Sequence, residues 1–264
     1  MFWNAKEGRI NIKNSYVDYA TFGKGKRVLI IIPGLSTRGV KGMAIPLAYM
    51  YRIFAKDYKV YIIDRIHDVP KGYTIMDMAK DIADTMTLLD IKCGDVFGVS
   101  QGGMIAQTLA VYYPKMVHKL VLGVTLSKTN ETVKTVVGNW IEYAQKGDYQ
   151  SLNRETFTLM YSDTYLRKNK WILPIAIRFV KPDNLGKFVR LANACIDFDI
   201  YEELTKIACP VLVLGGALDK VVTGVASKEI ADKIGCELYL YDNLGHAAYE
   251  EARDFNQRVY DFLR

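Results

Sequence analysis

Only three histidines occur in the 264 residues, His67, His118 and His246. Any chemistry that needs an imidazole base must use one of them. Cysteine is also scarce, and Cys93, Cys195, Cys209 and Cys236 share no metal-ligand spacing. No metal or other cofactor is expected, and buried free thiols in a reducing compartment are expected rather than disulfides. No apolar run approaches the length needed to span a bilayer, and Met1-Phe2-Trp3-Asn4-Ala5-Lys6-Glu7 is not a secretory signal. A cytoplasmic location is the expectation. Basic clustering is missing too: formal net charge is +6, but 35 basic residues are scattered among 29 acidic ones, which argues against a nucleic-acid surface. Internal repeats and low-complexity linkers are absent. What remains is an ordinary globular composition, 50% hydrophobic and 24% charged, sufficient for one large core.

Several segments are apolar at every position, as strands covered on both faces should be. They are Val28-Leu29-Ile30-Ile31-Ile32, Val60-Tyr61-Ile62-Ile63, Val96-Phe97-Gly98-Val99, Leu120-Val121-Leu122-Gly123-Val124 and Val211-Leu212-Val213-Leu214. A shorter run, 237–241, follows them, and an alternating hairpin over 9–22 precedes them. Helical patterns fall between the strands: 44–55, then Met78, Ile82, Met86 and Leu89 on one face, then 104–111 up to Pro114. Such alternation implies a doubly wound, mostly parallel α/β sheet. Between Ser127 and Leu204 the rhythm changes to helical spacing without a buried strand. The chain therefore divides into a core, 1–126 and 205–264, and a helical insertion, 127–204.

One strand stops abruptly at Gly98-Val99-Ser100-Gln101-Gly102. This fits G-x-S-x-G, a sharp strand-to-helix turn that presents a serine hydroxyl. The bare pattern arises by chance in about one chain of this length in ten, and a glycine-rich turn without chemistry is the alternative reading. Its place between a buried strand and a helix strengthens the signal, because glycines are needed where the two elements approach each other closely.

Ligand sites in open parallel sheets form beyond the carboxyl ends of the strands. A serine there needs a base, and the base needs a partner to hold its tautomer. His118 precedes a strand and falls at the wrong end. His67 follows the fourth strand and is the second choice. His246 follows the last strand between Gly245 and Ala247, which leave an imidazole room. Asp219, after the penultimate strand, is the candidate carboxylate; Asp242 is a rival too close to His246 in the chain, and Asp219 itself also fits a turn-forming role. Two preorganised donors for a developing oxyanion would be the backbone N–H groups of Leu35, after Gly34, and of Gln101, at a helix start.

Together, Ile31-Ile32-Pro33-Gly34, Val99-Ser100-Gln101-Gly102-Gly103, Cys209-Pro210-Val211-Leu212-Val213-Leu214-Gly215 leading to Asp219, and Gly245-His246 resemble the α/β-hydrolase fold superfamily, in particular its small, lid-bearing serine esterases. The likeness covers nearly the whole chain. It implies an eight-stranded sheet with a helical cap, a Ser100, Asp219, His246 triad in that chain order, and a small-molecule ester or acyl substrate. Pro33 stands where the family usually has histidine, which alters how the oxyanion loop is braced; Thr223 stands where proline often follows the aspartate. Haloalkane dehalogenases and epoxide hydrolases of this fold carry aspartate at the Ser100 position and dienelactone hydrolases cysteine, so serine implies acyl chemistry. By the same analogy Trp140, Phe157, Met160 and Trp171 of the insertion line the substrate pocket with Gly34, although such stripes also serve as plain core. Arg167, Lys168 and Lys170 either attract an anionic substrate or form a solvated helix face. Thioesterase, lactonase, amidase and carbon–carbon hydrolase activities share these residues. The other class of reading is a ligand-binding or receptor protein on the same fold with a slow or vestigial triad.

Overall fold

The computed structural model describes residues 3–264. The chain begins with the hairpin β1 (Lys6–Ile12) and β2 (Ser15–Phe22), followed by β3 (Arg27–Ile32), α1 (Ala44–Met50), β4 (Tyr58–Ile63) and α2 (Ile75–Leu88). Next come β5 (Gly94–Val99), α3 (Gln101–Tyr112) and β6 (Val117–Gly123). Five helices then occur in succession: α4 (Glu131–Gln145), α5 (Tyr149–Met160), α6 (Asp163–Lys168), α7 (Leu173–Phe179) and α8 (Leu185–Ile196). The end of the chain is β7 (Val211–Gly216), α9 (Gly224–Ile234), β8 (Glu237–Tyr241), α10 (Ala248–Glu251) and α11 (Phe255–Leu263).

All eight strands join one sheet in the order β1-β2-β4-β3-β5-β6-β7-β8. The β1–β2 and β2–β4 pairs are antiparallel and every other pair is parallel. Because side chains alternate across a strand, the all-apolar strands supply two cores at once. Ile30, Ile32 and Val96 join α2 and α3 on one face, while Leu29, Ile31 and Phe97 join α1 and α11 on the other. Thr74 and Asp77 form a capping box at the start of α2, so the helix whose Met78, Ile82 and Met86 face the sheet has a fixed beginning.

Three local expectations change. Helix α1 ends at Met50, and Arg52–Lys56 is a tighter 3₁₀ turn. That turn sets the fully buried Phe54 between Tyr51 and Tyr58, with ring centroids 6.4 and 6.2 Å away. All four cysteines are free as expected, but only Cys195 is buried, and Cys93 is exposed. Burial pushes the Cys195 thiol up to about 11. Helices α6 and α7, of 6 and 7 residues, were not marked out as separate elements in the sequence.

The helices between β6 and β7 leave and return through a narrow neck. Lys128 bridges Asp199, Thr129 N–H donates to Phe198 O at 2.8 Å and Ile200 N–H donates to Ser127 O at 2.8 Å.

Candidate active site

Ser100 links β5 to α3 with φ +54 and ψ −121, a region an L-residue occupies at a cost of about 1–3 kcal/mol. The surroundings hold it there. Ser100 N–H donates to Gly123 O at 2.9 Å, and its carbonyl accepts from Gly103 N–H at 2.8 Å and from the Thr125 hydroxyl at 2.7 Å. A Cβ on Gly98 would lie 2.3 Å from Gly102 O. A Cβ on Gly102 would meet not β5 but the end of β3, 1.9 Å from Ile32 O. The two glycines therefore serve different approaches: helix to its own strand, and helix to the neighbouring strand.

The loops after β7 and β8 are zipped together. Ala217 N–H donates to Tyr241 O and Leu218 N–H to Leu244 O, both at 3.0 Å. A Cβ on Gly216 would lie 2.2 Å from Gly245 O. This contact carries Asp219 to His246, both buried. Asp219 Oδ2 lies 2.8 Å from His246 Nδ1, and Oδ1 accepts from the N–H groups of Val221 and Val222 at 2.7 and 2.9 Å. On its other side His246 Nε2 lies 3.0 Å from Ser100 Oγ. A carboxylate only accepts, so Nδ1 carries the ring proton and Nε2 is left to accept from the serine hydroxyl. The three side chains thus form one directed hydrogen-bonded run across three strand ends.

The rival residues lie elsewhere. His118 Nδ1 meets Asp95 Oδ1 at 2.7 Å at the amino end of the sheet. His67 stacks on Tyr16 and contacts Asp68. Asp242 is exposed.

Gly34 packs on the serine: a Cβ there would lie 3.2 Å from Ser100 Cβ and 3.8 Å from Oγ. Among the described residues, neither Leu35 N–H nor Gln101 N–H donates to a protein acceptor. Neither amide is therefore committed to another protein group among the described residues. The brace that Pro33 cannot supply comes from Arg65, two residues after β4. Its guanidinium donates to Pro33 O at 2.8 Å and to Gly34 O at 2.5 Å. Arg65 is buried, which works against its charge, while the Asp64 carboxylate supports it. Sequence reasoning missed this residue; its one signal was an arginine two residues after a buried strand.

The Gln101 side chain was also not anticipated as a tie. Its Nε2 donates to Leu191 O at 2.7 Å and lies 3.0 Å from Cys195 Sγ, fastening the elbow to α8. Thr223 adopts φ +75, which a proline ring could not follow, so the departure from proline there matches the local backbone.

The insertion residues divide. Trp140 is buried in the core between the helices, and its Nε1 has no acceptor among the described residues. Phe157 stacks on Tyr161, and Met160 O accepts from Ala247 N–H at 2.8 Å, next to His246. Trp171 is 78% exposed. A side chain that open is no wall of an enclosed pocket, and Trp171 is not among the residues the structure gathers around Ser100.

A serine on a strained elbow, backed by histidine and aspartate at neighbouring strand ends of a sheet in this order, defines the architecture of an α/β hydrolase. The chain belongs to that family: residues 27–253 match the family described as alpha/beta hydrolase fold. It is 25% identical over 97% of its length to the serine hydrolase BPHL of Mus musculus, covering 86% of that protein. It is 26% identical over 99% of its length to a 2-hydroxy-6-oxononadienedioate/2-hydroxy-6-oxononatrienedioate hydrolase of Paraburkholderia xenovorans, covering 94% of it. Among solved structures, the enol-lactonase of Burkholderia xenovorans superimposes with a TM-score of 0.83 at 21% identity, covering 97% of this chain and 99% of the other. No helix among the described residues is long and apolar enough to cross a membrane.

Proposed function

We propose that the protein is a serine hydrolase cleaving carboxylic-ester or closely related acyl bonds of a small substrate. The observation that carries this is the hydrogen-bonded run from Ser100 Oγ through His246 to Asp219. As Ser100 Oγ bonds to the substrate carbonyl carbon, its proton passes to His246 Nε2, and the carbonyl oxygen becomes an oxyanion held by the amides of Leu35 and Gln101. Asp219 orients the imidazole and stabilises its charge. Collapse breaks the bond to the leaving group, which takes the proton from His246, and an acyl group remains on Ser100. Water, deprotonated by His246, then attacks the acyl carbon, and the acid leaves as the proton returns to Ser100.

The five helices between β6 and β7 act as the cap in this reading, with Trp140, Phe157 and Met160 as its candidate contacts to substrate. The link from Met160 to the residue after His246 supports placing the end of α5 at the site. The names of the two relatives, both hydrolases, support the reaction class. Turnover of a short-chain aryl ester by the purified protein tests the proposal: steady release of the phenol is expected. No turnover, together with tight small-molecule binding that survives Ser100→Ala, would favour a ligand-binding protein instead.

Arg65 is a positioning residue in this scheme. Arg65→Met leaves the half-buried carbonyls of Pro33 and Gly34 without their donor and is expected to cost about 1 kcal/mol each. The loosened loop misplaces the Leu35 amide, so kcat is expected to fall about 100-fold while KM changes little. Arg65→Lys should restore only part of the rate, because an ammonium lacks the planar fork that serves both carbonyls. Equal losses for both variants in melting temperature alone, with kcat intact, would remove Arg65 from the scheme.

A further inference from the structure

The segment 164–182 combines features that the site above does not use. Trp171, Ile172, Ile175 and Phe179 are 78, 64, 59 and 70% exposed. Their spacing, i, i+1, i+4 and i+8, places them on one stripe along α7 and the turn before it. Aromatic side chains each offer about 150–250 Å², so the stripe reaches the size at which an exposed apolar patch marks an interaction surface. The opposite side of this segment is pinned: the buried Asn153 donates to Ile177 O at 3.1 Å and to Val180 O at 2.8 Å. The outward stripe is therefore held in place rather than left over from a loose helix.

Charge surrounds it with one sign. Arg167, Lys168, Lys170, Arg178 and Lys181 are all exposed, and no acidic residue occurs between Asp163 and Asp183. Those two flanking carboxylates turn to other partners, Asp163 toward Lys220 at 3.6 Å and Asp183 to the Gly39 N–H at 2.9 Å. Lys170 and Arg178 lie over the neighbouring Trp171 and Phe179 rings.

We infer that this face of the cap docks on an anionic lipid surface. An apolar stripe with tryptophan and phenylalanine, rimmed by lysine and arginine, matches an interfacial segment that sinks shallowly among acyl chains while its cations meet phosphates. A second copy of the chain fits less well. A two-fold contact places each patch against itself, so five cations would face the same five. The stripe belongs to the helices that follow α5, whose last residue, Met160, bonds beside His246. Docking does not depend on the proposed reaction, and Ser100→Ala should bind lipid as well as the native chain.

Flotation of the full chain with vesicles tests this, using phosphatidylcholine alone and phosphatidylcholine mixed with phosphatidylglycerol. Binding is expected to the mixed vesicles, to weaken as salt rises, and to fall about fivefold for each cation neutralised in Lys168→Gln and Lys170→Gln. Trp171→Ser with Phe179→Ser should lose binding by at least about tenfold, and because both side chains are exposed, melting should not change. Trp171 emission should move to shorter wavelength with mixed vesicles and not with neutral ones. Equal binding to both vesicles, no binding to either, or a dimer in solution that Ile175→Asp dissociates would each overturn the inference.

Discussion

Ser100→Ala is expected to lower kcat for an aryl ester by about 10⁵- to 10⁶-fold while the protein stays folded. Alanine keeps the Cβ and the strained backbone of the elbow, and it leaves the bonds of Ser100 N–H and carbonyl with Gly123, Gly103 and Thr125 in place. Only the hydroxyl is lost, and with it one hydrogen bond to His246, worth about 1 kcal/mol of stability. The nucleophile disappears altogether. What residual rate remains would come from the amides of Leu35 and Gln101 and from binding. Steady-state kinetics beside a thermal melt checks both halves: a rate loss below tenfold would show that the acyl transfer runs through another group.

Asp219→Asn is expected to cost about 10⁴-fold in kcat with little change in KM. The reason lies in the two amides of Val221 and Val222, which donate to Asp219 Oδ1. In the variant the amide oxygen must keep that position, because only it accepts. The NH₂ group then faces His246 Nδ1 and donates to it. Nδ1 becomes the unprotonated nitrogen, Nε2 carries the hydrogen, and the imidazole can no longer take the Ser100 proton. Geometry is preserved while the tautomer is reversed, so the melting temperature should move by only a few degrees. If Asn at 219 retained most of the native rate, Asp219 would not be orienting the base.

The sheet was legible because β3, β4, β5, β6 and β7 are apolar on both faces, a pattern few other elements share. Ser100 and Asp219 could be read because each follows such a strand, and His246 because it follows the last strand, β8; chain position then places them at one edge. Their approach to hydrogen-bonding distance came from contacts no pattern encodes, such as Gly216 against Gly245. Arg65 was invisible for a similar reason, since its brace depends on a side chain crossing to the loop after a neighbouring strand. Cys93 lies beside an apolar strand yet is exposed, because the turn before β5 opens to solvent. Helical spacing in the insertion showed that one face is apolar but not what covers it. For Val133, Val137 and Trp140 the cover is protein; for Trp171 and Phe179 it is not. Helices α6 and α7 escaped notice because each spans fewer than two turns.

The most direct test of a proton relay ending at an acylated serine is to treat the protein with one equivalent of a fluorophosphonate and locate the adduct by peptide mass spectrometry. The expected result is a single modification at Ser100, on the tryptic peptide that ends at Lys115, formed quickly in the native chain and very slowly in His246→Ala. A modification elsewhere, or labelling of Ser100 at the same rate without the imidazole, would contradict the account.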